Sequence, residues 1–285
     1  MMSSLLQALR TNTPEPIKIL HGRVAIHVPN MVDLYIRQHT PVIAYLPPKV
    51  GSTSVVNALM SRYRFSMRHH YLRPEITDWV LNTYRGKRRL HYWNFKRQRW
   101  VYEHIVVPKR PAKYLTMVRE PISQGISNFF DTLDRITGKT ESYKGYSIDE
   151  LVNMFFEQDF REVSWLHWFE DEYMPVLGVN LYEHPFPKDQ GYLRIEHGPI
   201  ELLLLKTEVG EEKKSEVITD FVGLARPLEF DRLNITADKS YGPIYKAFKS
   251  QLEIPETLVE RVYNDPIVKY FYSDDELDQF RTKWL

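Results

Sequence analysis

The chain contains no cysteine, which removes disulfide frameworks, thiolate zinc sites, iron–sulfur clusters and thiol nucleophiles from consideration. It also lacks any run of about 18 apolar residues, the length a membrane span requires. The apolar stretch near the N-terminus, Leu5–Leu9, is far shorter. A cytoplasmic protein, at most peripheral to a membrane assembly complex, is the expectation. Glycine is scarce, with 12 residues against 18 prolines, so collagen-like and Gly/Ser-linker readings fall away. There is no internal repeat, no linker between two halves and no clear cluster of metal ligands. Net charge is nearly absent too, with 38 Lys plus Arg against 37 Asp plus Glu.

What is present is a 285-residue chain, 43% hydrophobic and 26% charged, with 18 Tyr, 14 Phe and 6 Trp. Such a chain can bury a sizeable core, and one domain spanning 1–285 is the simplest expectation. The near-neutral charge conceals a strong asymmetry. Arg62 to Lys113 holds 14 basic residues and three acids, Glu75, Asp78 and Glu103, a surplus of 11, and the rest of the chain is correspondingly acidic. The basic stretch is interleaved with aromatics, among them Tyr71, Trp79, Tyr84, Tyr92, Trp93, Phe95 and Trp100. That pattern suits phosphate pairing and base stacking. It equally suits an anionic polysaccharide whose rings pack on aromatic faces, or a surface neutralised by acids elsewhere in the fold.

Strand and helix signals alternate. Val42–Leu46 is an apolar run rich in β-formers that stops at Pro47-Pro48, and Val55, Val56, Leu59, Met60 and Tyr63 then recur at helical spacing. Tyr114–Val118 predicts a second strand, followed by Pro121 at a helix start and a stripe of Ile122, Ile126, Phe129, Leu133 and Ile136. A helix from Ile148 to about Glu172, a strand at Leu202–Leu205, a helix through Val217–Val222 and a helical, acidic C-terminal segment from about 255 complete the pattern. Alternation of this kind predicts an α/β fold with a central, mainly parallel sheet flanked by helices.

Ligands of such sheets bind beyond the carboxyl ends of the strands, which directs attention to Pro47–Ser54. Gly51 permits close approach, Ser52, Thr53 and Ser54 bring hydroxyls and helix-start N–H groups, and Lys49 brings charge. A plain helix cap has the same composition. The loop is not a Walker A motif, because Lys49 precedes Gly51. Arg119 directly follows the second strand, and Ser127 lies eight residues on within the helix. A guanidinium and a hydroxyl so placed could share one phosphate.

Taken together, Pro48-Lys49-Val50-Gly51-Ser52-Thr53-Ser54 and Arg119-Glu120-Pro121 through Ser127-Asn128-Phe129-Phe130 resemble the 5′-phosphosulfate and 3′-phosphate motifs of sulfotransferases, in the right order and each after a predicted strand. Tyr241–Lys249 and Tyr263–Trp284 more loosely resemble the C-terminal part of polysaccharide-modifying members. The resemblance implies a P-loop-like three-layer fold and a donor, 3′-phosphoadenosine 5′-phosphosulfate, that leaves as adenosine 3′,5′-bisphosphate. It implies that Lys49 contacts the bridging oxygens, that Gly51, Ser52, Thr53 and Ser54 cradle the 5′-phosphate, and that Arg119 and Ser127 hold the 3′-phosphate. It requires no metal, and it makes a carbohydrate hydroxyl, on an anionic polysaccharide or oligosaccharide, the expected acceptor, with no nucleic-acid partner.

Such a transfer calls for a base. His104, read as a strand end and loop just before the Arg119 unit, is the first candidate; His69 and His70, around a strand adjoining the phosphate loop, compete with it, and His91 and Glu103 are further options. Two other readings stay open. One is a nucleotide-dependent phosphotransferase using the same loop; the other is a non-enzymatic nucleic-acid or polysaccharide-binding module built on residues 62–113. Asn234-Ile235-Thr236 matches a glycosylation acceptor, and Lys239 and Tyr241 could belong to a lid.

Overall fold

The computed structural model describes residues 29–76, 78, 96–160, 164–230 and 240–285. Of the residues named above, Leu5–Leu9, His91, the Asn234 acceptor, Lys239 and the aromatics from Trp79 to Phe95 lie outside the described residues. Contacts divide the chain into two compact units, one formed by Met1–Pro41 and Tyr71–Pro111, the other by Val42–His70 and Ala112–Leu285.

The larger unit is built on a five-stranded sheet of order β2-β1-β3-β5-β4. Its strands are β1 (Val42–Tyr45), β2 (Ser66–His69), β3 (Ala112–Val118), β4 (Tyr192–His197) and β5 (Ile200–Lys206). The pairs β1–β2, β1–β3 and β3–β5 are parallel, and β4 alone runs antiparallel. The α/β expectation is therefore met. In the interior of the sheet both faces are covered, so β1 is buried at every position and Leu202–Leu205 of β5 are fully buried. This explains why these strands read as continuous apolar runs rather than alternating ones. β4, at the sheet edge, escaped the sequence reading because Tyr192, Arg194, Glu196 and His197 leave it largely polar.

α1 (Ser52–Arg62) follows β1, and α2 (Pro121–Thr137) follows β3. α2 buries the predicted stripe of Ile122, Ile126, Phe129 and Leu133. The predicted helix from Ile148 to about Glu172 is shorter. α3 (Ile148–Phe156) is only its first part, and a wide helical turn at Phe169–Tyr173 that runs into a short α-helical turn at Met174–Leu177 follows separately. The apolar pattern persists because Trp165, Trp168 and Phe169 are core residues that pack edge-on, without one continuous helix. After β5 come α4 (Glu211–Val222), α5 (Gly242–Gln251), α6 (Glu256–Tyr263), α7 (Pro266–Phe271) and α8 (Asp274–Trp284). Phe248 of α5 packs against Phe129, Phe130 and Phe155 at ring distances of 5.9, 5.1 and 5.8 Å, which seats α5 on α2 and α3.

In the smaller unit, Val32–Ile36 and Tyr102–Val106 form wide helical turns. His104 therefore does not end a strand. Val101 and Ile105, four apart, are buried together with Trp100 while Val107 is exposed, a helical rather than an alternating pattern. Among the described residues no helix is long and apolar enough to cross a membrane.

Candidate functional site

The register fixes where the site forms. Tyr45 pairs with His69, and Val118 pairs with Lys206, so the segments that follow β1, β2, β3 and β5 all emerge along one edge of the sheet. Thr116 joins two of these strand ends, its hydroxyl donating to Tyr45 O at 2.6 Å.

The loop after β1 is held from three sides by its backbone carbonyls. Gln124 Nε2 of α2 donates to Pro48 O at 2.8 Å, Arg119 Nη1 donates to Lys49 O at 3.3 Å, and Thr207 Oγ1 donates to Val50 O at 2.8 Å. Lys49 and Gly51 both have left-handed backbones, with φ of 64° and 72°. At Gly51 a Cβ would meet Thr207 Cγ2 at 3.3 Å, so the position combines a conformational and a steric demand for glycine. Gly51 is also the N-cap of α1, and no side chain caps the helix. The tethers thus take up the carbonyls of Pro48, Lys49 and Val50, whereas the leading N–H groups of Ser52, Thr53 and Ser54 belong to a helix start whose dipole favours an anion.

The loop after β1 and the Arg119 turn thus meet, through Arg119 on the carbonyl of Lys49. Arg119 is itself positioned by Trp165, whose Nε1 donates to Arg119 O at 2.6 Å. The acid between Arg119 and Pro121 has a defined task. Glu120 caps α2 by accepting from the N–H groups of Ile122 and Ser123 at 2.7 and 2.9 Å, and it accepts from Tyr263 Oη at 2.8 Å. Its own N–H donates to Glu208 Oε1 at 2.7 Å. Burial pushes the Glu208 carboxyl up, against the hydrogen bonds that favour its charge. Ser127 is buried within α2.

Lys49 Nζ pairs with Asp131 Oδ1 at 2.9 Å. Tyr241 stacks on Phe130 at 5.6 Å. Burial raises its hydroxyl, and the charge of Lys49 opposes that shift while Asp131 adds to it, so the ring stands beside this pair. Two cations not singled out from the sequence complete the picture. Lys283 Nζ donates to Ser123 Oγ at 2.8 Å and pairs with Glu120 at 3.4 Å. Lys249 is held below its ordinary value, first by partial burial and then by the like charges of Lys283 and Arg119. Both ammonium groups lie over Trp284, at 5.5 Å for Lys249 and 4.5 Å for Lys283. Arg119, Lys249 and Lys283 therefore form a cationic cluster around the first turns of α2. Its sequence signal was confined to the loosely matching segments Tyr241–Lys249 and Tyr263–Trp284.

The histidines separate clearly. His69 ends β2 and is buried in the sheet. His70 follows it, and its Nδ1 lies 2.7 Å from Leu46 O at the head of the loop after β1. A carbonyl only accepts, so Nδ1 carries the proton and the neutral ring keeps its lone pair on Nε2. Trp168 Nε1 fixes the backbone by donating to His70 O at 2.6 Å. The imidazole is held below its ordinary value, chiefly by burial; the bond to Leu46 and the charge of Asp131 oppose this, and Arg68 and Lys49 reinforce it. His104, in the other unit, has its Nδ1 3.0 Å from Tyr35 Oη and its ring 5.0 Å from that of Trp100. Glu103 accepts from Arg99 Nε at 2.7 Å.

The described basic residues of the stretch belong to both units, those of 62–70 and Lys113 to one and the others to the second. Arg99 pairs with Asp78 as well as Glu103, Lys113 binds Glu201 and the Phe221 carbonyl, and Arg110 lies 4.4 Å over the Tyr35 ring. Part of the surplus is thereby neutralised locally.

Residues 145–273 match the model of the NKWYS family, described as "Putative capsular polysaccharide synthesis protein". The match takes in β4, β5 and the helices from α3 to α7, and it leaves out the loop after β1, Arg119 and Ser127. The chain is similar to a polysaccharide-related family over that stretch. No curated protein and no solved structure matches the chain.

Proposed function

We propose that the protein is a sulfotransferase that moves a sulfuryl group from 3′-phosphoadenosine 5′-phosphosulfate to a hydroxyl of a carbohydrate acceptor, a capsular or other extracellular polysaccharide or its precursor. The observation that carries this reading is the junction of Arg119 with the Lys49 carbonyl. It brings the two motifs of the sulfotransferase resemblance to one sheet edge, beside a helix start without a side-chain cap. The similarity of residues 145–273 to a capsular polysaccharide family supports the carbohydrate half of the reading.

The donor carries its activated sulfuryl group on the 5′-phosphate and a second phosphate on the ribose 3′-oxygen, and the residues present fit both phosphates. The loop N–H groups of 51–54 receive the 5′-phosphate. Arg119 and the lysines Lys249 and Lys283 match the 3′-phosphate in charge, and Ser127 offers it a hydroxyl donor. In the transfer, the acceptor oxygen bonds to sulfur as the sulfur–oxygen bond to the 5′-phosphate breaks. Lys49 and the loop N–H groups stabilise the charge gathering on the leaving oxygen, which is electrostatic catalysis by groups already in place. The acceptor proton passes to His70 Nε2, which is neutral near pH 7 because burial holds its titration low. His70 replaces His104 in this role because it stands at the head of the phosphate loop with its tautomer fixed.

The test is calorimetric titration of adenosine 3′,5′-bisphosphate. Each charge-assisted contact is worth about 1.5–3 kcal/mol, so Lys49→Ala and Arg119→Ala should each weaken binding about 10- to 100-fold. Unchanged affinity in both variants overturns the reading, and preference for magnesium ATP over the bisphosphate transfers it to a phosphotransferase.

A further inference from the structure

We infer that a cavity at the carboxyl end of β5 is a saccharide subsite that takes one or two hexose rings through their hydroxyls; the inference rests on the carbohydrate-acceptor reading proposed above. The cavity measures about 650 Å³, inside the range of roughly 300–1,000 Å³ common for small-molecule sites. Its walls are the turn before β4 with Lys188, Asp189 and Gln190, the first residue of β4, Tyr192, the start of α4 at Lys213, and the start of α8 at Glu276. Every lining residue except Glu276 falls inside residues 145–273, the stretch similar to the polysaccharide family, whereas the phosphate motifs fall outside it.

The walls are fixed from within. Lys206 is 3% exposed, and its ammonium donates to Lys188 O at 2.7 Å and to Glu276 at 2.5 Å. This buried cation ties the turn before β4, strand β5 and helix α8 into one frame, so the cavity exists without ligand and little ordering remains to be paid on binding.

The chemistry of the lining selects the ligand class. Lys188, Lys206 and Lys213 are matched by Asp189, Glu208 and Glu276, so a phosphate or sulfate would meet as many carboxylates as cations. Sugar hydroxyls both donate and accept, and an alternation of ammonium, carboxylate and amide groups beside a Tyr ring satisfies them. Among the described residues the Lys188 ammonium and the Asp189 carboxylate are engaged by no other side chain, which leaves both for a ligand. The location also fits an acceptor. Thr207, between the two lining residues Lys206 and Glu208, donates to Val50 O of the phosphate loop, and Glu208 accepts the N–H of Glu120. One short segment thus borders the cavity and braces both phosphate motifs.

Saturation-transfer NMR on the full chain tests the assignment, with the methyl glycosides of glucose, galactose, N-acetylglucosamine and glucuronic acid as millimolar probes. Binding of at least one is expected, weakened about tenfold or more by Asp189→Ala, on the turn, and by Val209→Trp, which fills the cavity. Adenosine 3′,5′-bisphosphate affinity should stay unchanged in the Asp189 variant, which also reports that the fold is intact. Failure of all four glycosides to bind, or binding indifferent to both substitutions, overturns the subsite. Loss of glycoside binding in the variants of a chain that does not bind the bisphosphate leaves the subsite standing and removes the donor reading instead.

Discussion

Gly51→Ala isolates the physical requirement at the centre of the loop after β1. The backbone there is left-handed at φ 72°, a conformation that costs an L-residue about 1–2 kcal/mol. The added Cβ also meets Thr207 Cγ2 at 3.3 Å, and Thr207 cannot turn aside freely. Its hydroxyl holds Val50 O at 2.8 Å, and its N–H holds Val118 O at 2.7 Å. Giving up one such bond costs about 1 kcal/mol, so the full penalty is about 2–3 kcal/mol. For a chain of this size each kcal/mol lowers the melting temperature by about 2–4 °C. Thermal denaturation of Gly51→Ala, Thr207→Ser and the double variant separates the two parts. Serine keeps the hydroxyl and removes only Cγ2, so the double variant should recover the steric share and retain the backbone share. A Gly51→Ala protein as stable as wild type refutes the argument, and a penalty untouched by Thr207→Ser refutes its steric half.

Three further outcomes follow from the same edge of the sheet. His70 is held below the ordinary value of 6.5, so below that pH the unfolded chain takes up a proton that the native chain resists. Its contribution is present in full above about pH 6.5 and declines as the pH falls, and urea midpoints should show a flatter pH dependence for His70→Asn than for wild type. Glu120→Ala leaves two helix-start N–H groups and the Tyr263 hydroxyl without their acceptor; a loss of at least about 1–2 kcal/mol is expected from equilibrium denaturation. Asp131→Asn releases Lys49 from a half-exposed ion pair worth at most about 1 kcal/mol, so calorimetry should show bisphosphate binding tightened up to about fivefold, and weaker binding would contradict the pairing.

Much of this edge is legible in the sequence because its strands are buried on both faces. Val42–Leu46, Tyr114–Val118 and Leu202–Leu205 announce themselves as short apolar runs, and the loops after the first two carry dense local motifs. The edge strand Tyr192–His197 does not, since one exposed side permits polar residues that erase the apolar signal. His104 misled because Val101, Ile105 and Val106 are β-branched yet repeat with helical spacing. The candidate base His70 and the cations Lys249 and Lys283 depend on contacts far apart in the chain: the bond from His70 to Leu46, and the approach of Lys283 to Ser123 across 160 residues. No local pattern encodes such pairings, which arise only when β2 pairs with β1 and α8 docks against α2.

The most direct measurement is a crystal structure with adenosine 3′,5′-bisphosphate bound. The 5′-phosphate is expected on the N–H groups of residues 51–54 with Lys49 turned from Asp131 toward it, the 3′-phosphate against Arg119 and Ser127, and His70 Nε2 facing the position that the sulfuryl group would fill. A bisphosphate bound away from this loop, or one whose 3′-phosphate points into solvent without touching Arg119, would contradict that placement.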